Sequence, residues 1–119
     1  VGLITDQKIH ITKSYDLQDV WEALGGSDFS GCRDFVDKIN DYDYKNPKPF
    51  TIIHTDKEGV NYKVTTVLTP EVISEAFTKA VLNKETHCGS YDINDLDNAD
   101  ACFAYTILQY ALFGEVVFG

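Results

Sequence analysis

FTIIHTDKEGVNYKVTTVL, residues 50–68, is the stretch whose reading decides the fold. Phe50 to Thr55 reads as a strand, and Asp56-Lys57-Glu58-Gly59 as a tight turn ending in glycine. From Val60 to Leu68 the chain is β-branched and alternating, with Val60, Tyr62, Val64 and Thr66 on one face. Two such runs about a short turn predict a β-hairpin.

Working towards the N-terminus, Asp41 to Pro49 is a loop, because Pro47 and Pro49 forbid regular pairing. Before it, Cys32, Phe35, Val36 and Ile39 recur at the i, i+3, i+4, i+7 spacing of one helical face. Leu17, Val20, Trp21 and Leu24 show the same spacing after the capping residues Ser14 and Asp16, and Gly25-Gly26 ends that run. The expectation is therefore a hairpin of two short helices. Lys8 to Lys13 alternates polar and apolar and reads as a half-buried strand.

Towards the C-terminus, Thr69-Pro70 opens a helix, with a capping hydroxyl, proline in the first turn and Glu71 suited to the helix dipole. Val72, Ile73, Ala76, Phe77, Ala80 and Val81 give it a wide apolar face. Residues 84–96 carry no decisive pattern, and Thr86 to Ser90 is open between a short strand and a loop. Asn98–Phe113 reads as a buried helix, followed by Gly114 and a short apolar strand, Glu115–Phe118. The expected order is β-α-α-β-β-α-α-β over residues 1–119. It describes a single α+β domain with a mainly antiparallel sheet and helices packed on one face.

The totals bound the function. A chain of 119 residues, 44% hydrophobic, is long enough to bury a core without staples. The net charge of -9 opposes direct binding to nucleic acid or to an anionic membrane, both of which need a cationic footprint. It permits attraction to a basic protein surface. Cys32, Cys88 and Cys102 are odd in number and irregularly spaced, which argues against a disulfide framework. No apolar run is long enough to span a bilayer, and Val1 to Thr5 lacks the features of a signal peptide. A cytoplasmic location is expected. The chain has no methionine, so Val1 is expected to follow a removed residue or to open a fragment.

Four constellations invite a chemical reading. Asp92, Asp95, Asp97 and Asp100 are spaced closely enough to suggest a hard-cation loop. Neither register supplies the glycine or the closing Glu of a calcium loop, so helix capping by Asp95, Asp97 or Asn98 is preferred, and no metal or other cofactor is expected. Cys88, with His54 or His10 brought to it by folding, is a candidate nucleophile and base in a pocket beside the C-terminal helix. His87 adjoins Cys88 in sequence and would point the other way in a strand. No thiol-enzyme signature surrounds Cys88, and no Cys or His pair has zinc spacing.

The third constellation is an acidic face. Asp34, Asp37 and Asp41 share one side of the expected second helix, and Asp19 and Glu22 the equivalent side of the first. A solvated helix face is the ordinary meaning of such a pattern. Its functional meaning is a surface that competes with nucleic acid for a basic groove. The fourth is a polar stripe, Asn98, Cys102, Tyr105, Thr106 and Gln109, on an otherwise apolar helix. It reads as a wet edge or as a seam lining a pocket or interface.

These readings point to a small, acidic, soluble, non-enzymatic protein-binding module. Its most concrete form is a DNA-mimic-like inhibitor that engages a basic nucleic-acid-handling protein through Asp19, Glu22, Asp34, Asp37 and Asp41. The competing classes are a small Cys/His-dependent enzyme or ligand-binding domain, and an assembly subunit whose terminal strand extends a neighbour's sheet, with a homo-oligomer as its product. Size, acidity and the lack of a catalytic signature resemble, in a general way, small proteins of phages and mobile elements.

Overall fold

The structure is a computed structural model and describes residues 16–27, 29–60, 63–87 and 91–118. The strand expected at Lys8–Lys13 lies outside the described residues. In chain order the elements are α1 (Leu17–Gly26), a 3-10 turn (Phe29–Cys32), β1 (Val36–Asn40), β2 (Phe50–His54), β3 (Val64–Leu68), α2 (Pro70–Leu82), β4 (Thr86–His87), β5 (Tyr91–Asp92), a second 3-10 turn (Leu96–Asn98) and α3 (Ala101–Phe113). The class is α+β, an antiparallel three-stranded sheet in the order β1-β2-β3 with helices packed against it. β4 and β5 form a separate two-residue ladder.

The hairpin expected at residues 50–68 forms, but its second strand begins at Val64, four residues later than expected, so a loop longer than the four-residue turn joins the strands. Phe50 pairs with Leu68, Ile52 with Thr66 and His54 with Val64. Because side chains alternate across a strand, these residues share the inner face. Phe50, Ile52, His54 and Leu68 are buried there. At the turn, Asp56 Oδ1 accepts from the N–H groups of Glu58 and Val60, and its carbonyl accepts from Gly59 N–H.

The second expected helix does not exist. Residues 29–32 make a single 3-10 turn, and Val36–Asn40 is a strand on the edge of the sheet. The physical reason is a β-bulge. Val36 pairs with His54 and Ile39 with Ile52, so four residues of β1 span three of β2, with the irregularity between Val36 and Lys38. The extra residue puts Val36 and Ile39, three apart, on the same face of the sheet. That spacing imitates a helical stripe. Thr55 N–H then donates to the Phe35 carbonyl at 2.8 Å and closes the sheet at its start.

All three helices cover the inner face. Trp21 of α1 meets Phe50 edge-on, with ring centroids 5.7 Å apart. Phe113 of α3 meets His54 at 5.9 Å. α2 packs on α3, with Ile73, Phe77 and Ala80 buried beside Phe103 and Ile107. α2 begins at Thr69, whose hydroxyl accepts from Val72 N–H at 3.2 Å, as the sequence predicts.

α3 begins three residues later than expected. The acidic lead-in caps it through Asp100, whose carboxylate accepts from Cys102 N–H at 2.9 Å, while Leu96–Asn98 forms its own short turn. Gly114, at φ 78°, ends the helix in the left-handed conformation that favours glycine.

Glu115–Phe118 is not a strand. It is an irregular tail held against α3 by Gln109, which is fully buried. The Gln109 side-chain oxygen accepts from Val117 N–H at 2.8 Å and Phe118 N–H at 2.7 Å, and its amide donates to the Phe118 and Tyr105 carbonyls at 3.2 Å. One side chain thus satisfies two successive N–H groups and a carbonyl of the tail. Phe118 stacks on Phe35, with centroids 5.6 Å apart and planes 6° from parallel.

Candidate functional site

The five acids fall in three places. Asp19 and Glu22 stand on the exposed side of α1, opposite Val20, Trp21 and Leu24, which are buried. α1 carries no Lys or Arg. Asp34 sits in the turn before β1 and accepts a hydrogen bond from Tyr105 Oη at 2.8 Å. Asp37 lies at the bulge of β1, exposed, and Asp41 follows the strand at φ 68°. The single face of a helical hairpin is therefore replaced by two acids on α1, two towards the start of β1, and one at its end.

Folding reunites part of this set. Residues 41–49 dock on α1 through an aromatic stack. Tyr42 lies on Trp21, with centroids 4.8 Å apart and planes 13° from parallel, and donates its hydroxyl proton to the Trp21 carbonyl at 2.6 Å. Trp21 Nε1–H donates to the Asp43 carbonyl at 2.5 Å. Gln18 donates to Glu22 at 2.6 Å and to the Lys45 carbonyl at 2.7 Å, so Glu22 lies beside the loop. Gly25 makes the approach close. A Cβ there would lie 2.8 Å from Tyr42 Cε2 and 2.9 Å from Tyr44 Cδ1.

The loop leaves Tyr44 59% exposed, above Gly25 and between Asp43 and Lys45 in sequence. Burial, with a smaller contribution from Tyr44, pushes the Tyr42 hydroxyl well above the usual tyrosine range. Asp43 is held below the usual carboxylate range, first by the hydrogen bond from Lys45 N–H and then by the Asn46 side chain. Its Oδ1 accepts from the Lys45 and Asn46 N–H groups at 2.9 and 3.1 Å, which keeps the loop folded back. Glu22 of α1 and Asp43 of the loop thus flank one exposed aromatic ring, with Lys45 and Lys48 close by to temper the charge. The 3-10 turn Leu96–Asn98 packs against α1, and residues 85–119 contain six acids and no Lys or Arg.

Of the alternative pocket, Cys88 and His10 lie outside the described residues. His54 is buried, with Nδ1 2.6 Å from the Thr55 carbonyl and Nε2 2.7 Å from Thr66 Oγ1. A carbonyl only accepts, so Nδ1 carries a proton. Both ring nitrogens are engaged within the sheet. Cys32 is buried and Cys102 exposed, and neither is in a disulfide.

The polar stripe of α3 divides. Gln109 serves the tail and Tyr105 serves Asp34, while Asn98 lies in the preceding turn and donates to Asp95 at 2.9 Å. Tyr105 is pushed up to about 12, first by burial and then by the hydrogen bond to Asp34. Among the described residues no three His, Cys, Asp or Glu groups converge as metal ligands would, and no helix is long and apolar enough to cross a membrane. A cleft of about 270 Å³ lies between the end of α2 and β5, lined by Val81, Lys84, Glu85, Asp92, Ile93 and Asn94.

The loop's contribution was missed at the level of sequence. Its signal was Tyr42 and Tyr44 alternating with Asp41 and Asp43, an aromatic pattern unusual in a solvated loop.

Comparison with protein-family models, with curated proteins and with solved structures finds no match.

Proposed function

We propose that this chain is a non-enzymatic binding module whose surface at α1 and residues 41–49 engages a basic surface on a protein partner. In its concrete form the partner handles nucleic acid, and the acids occupy the cationic groove that nucleic acid would use. The observation that carries this reading is the exposed Tyr44, seated over Gly25 between Asp43 and Lys45 and beside the acidic face of α1. An aromatic ring inside an acidic rim suits Arg- and Lys-rich surfaces, because guanidinium and ammonium groups are attracted both to carboxylates and to the face of the ring. Asp19, Glu22 and Asp41 are assigned to the contact. Asp34 and Asp37, towards the other end of β1, are left at its margin.

The test is a titration against a panel of purified nucleic-acid-binding proteins, with a duplex oligonucleotide as competitor. Binding is expected to fall tenfold or more between about 50 and about 300 mM salt and to be displaced by the duplex. A D19N/E22Q/D41N variant is expected to bind weakly, and Y44A to lose affinity while keeping the salt slope. Binding indifferent to salt, or unchanged in the triple variant, would overturn the reading.

A further inference from the structure

We infer that the outer edge of β3 is a self-association edge, on which a second copy of this chain adds its own β3 antiparallel about a twofold axis at Thr66. The two edges of the sheet are built differently. β1 is guarded by its bulge and by Asp37 and Lys38, devices that discourage a further strand. β3, Val64-Thr65-Thr66-Val67-Leu68, has no charge, no proline, no glycine and an unbroken register with β2. Among the described residues no strand pairs with its outer edge. Half of its N–H and C=O groups point to β2, and the other half point away from the sheet. Their chemical complement is an extended backbone.

The sequence of β3 suits a second copy of itself. The twofold axis pairs Val64 with Leu68, Thr65 with Val67, and Thr66 with its own counterpart. Each is a favourable cross-strand pair, and none sets like charges opposite each other. Thr65 and Val67 share the outer face with Thr51 and Ile53, by the alternation of the β2–β3 register. Val67 is 59% exposed and Val60, just ahead of the strand, 77%. Pairing would cover Val67 and join the two sheets into one of six strands.

A five-residue edge is small for an interface, so the dimer forms on the order of 100 µM or above. Each copy carries a net charge of -9, so the copies repel at long range. Added salt screens that repulsion and strengthens the dimer. This sign is opposite to that of binding through the acidic surface, so the two readings fail separately.

The test is sedimentation of the chain across concentration, at low and at high salt. The mass is expected to rise from monomer towards dimer, more so at high salt. T65K/V67K places lysines opposite lysines across the axis and is expected to stay monomeric. T65E/V67K places glutamate opposite lysine in this register alone and is expected to restore the dimer. All the altered side chains are exposed, and far-ultraviolet circular dichroism would verify that both variants fold. A strict monomer up to about 1 mM, or a dimer that ignores both variants, would overturn the inference.

Discussion

At the scale of single residues, Gln109 shows how a helix this apolar keeps a polar group inside, and Tyr105 how it ties one to the turn before β1. Gln109 makes four hydrogen bonds from a fully buried position, two of them to backbone N–H groups of the tail. Gln109→Leu would strand those groups or release the tail. It is expected to cost about 2 kcal/mol in urea unfolding, since a buried group left without its partner costs about 1–3 kcal/mol. Faster hydrogen exchange at Val117 and Phe118 would show that the loss is local.

Tyr105 carries a sign that can be worked out. Its folded pKa of about 12 lies above the ordinary value of 10.0, so the folded state holds the proton more tightly than the unfolded chain. Stability from this group is complete below pH 10 and is lost as pH rises through the folded pKa. Unfolding measured across that window is expected to show a decline that is shallower in Y105F. D34N is expected to bring the Tyr105 titration to lower pH in ultraviolet difference spectra, because the hydrogen bond to Asp34 contributes to the shift.

At the scale of elements, caps and a bulge decide where helices and strands begin. Thr69 and Asp100 each satisfy one N–H at a helix start. T69A and D100A are each expected to lower stability by about 1 kcal/mol, and T69S by much less, in denaturant titrations. Gly114→Ala is expected to cost about 1 kcal/mol, because its φ of 78° suits glycine and strains alanine.

Gly25→Ala tests the docking of residues 41–49. Its methyl would meet both Tyr42 and Tyr44, so Tyr42 is expected to lift from Trp21 and change the tryptophan emission. An unchanged spectrum would mean that the aromatic stack yields without losing contact.

At the scale of the whole molecule, local pattern and tertiary register divide the credit. The hairpin, α1, α2, most of α3 and the α+β class were legible, because each rests on periodicity, turn residues or caps close together in the chain. Residues 32–39 were misread because the bulge gives a strand the spacing of a helical face. A bulge exists only relative to a partner strand, so no local pattern announces it. Glu115–Phe118 was misread for a related reason. A short apolar segment reads alike in sequence whether a partner strand or one buried glutamine holds it.

The acidic surface follows the same division. Net charge, the lack of Lys and Arg in residues 85–119, and the acids of α1 belong to the sequence, because composition and helical phase set them. Which acids share a surface was decided only by tertiary structure. Stacking of Tyr42 on Trp21 carries residues 41–49 onto α1, while the pairing of β1 with β2 leaves Asp34 and Asp37 towards the far end of the strand. Charge is a property of residues, and a patch is a property of distances that only packing supplies.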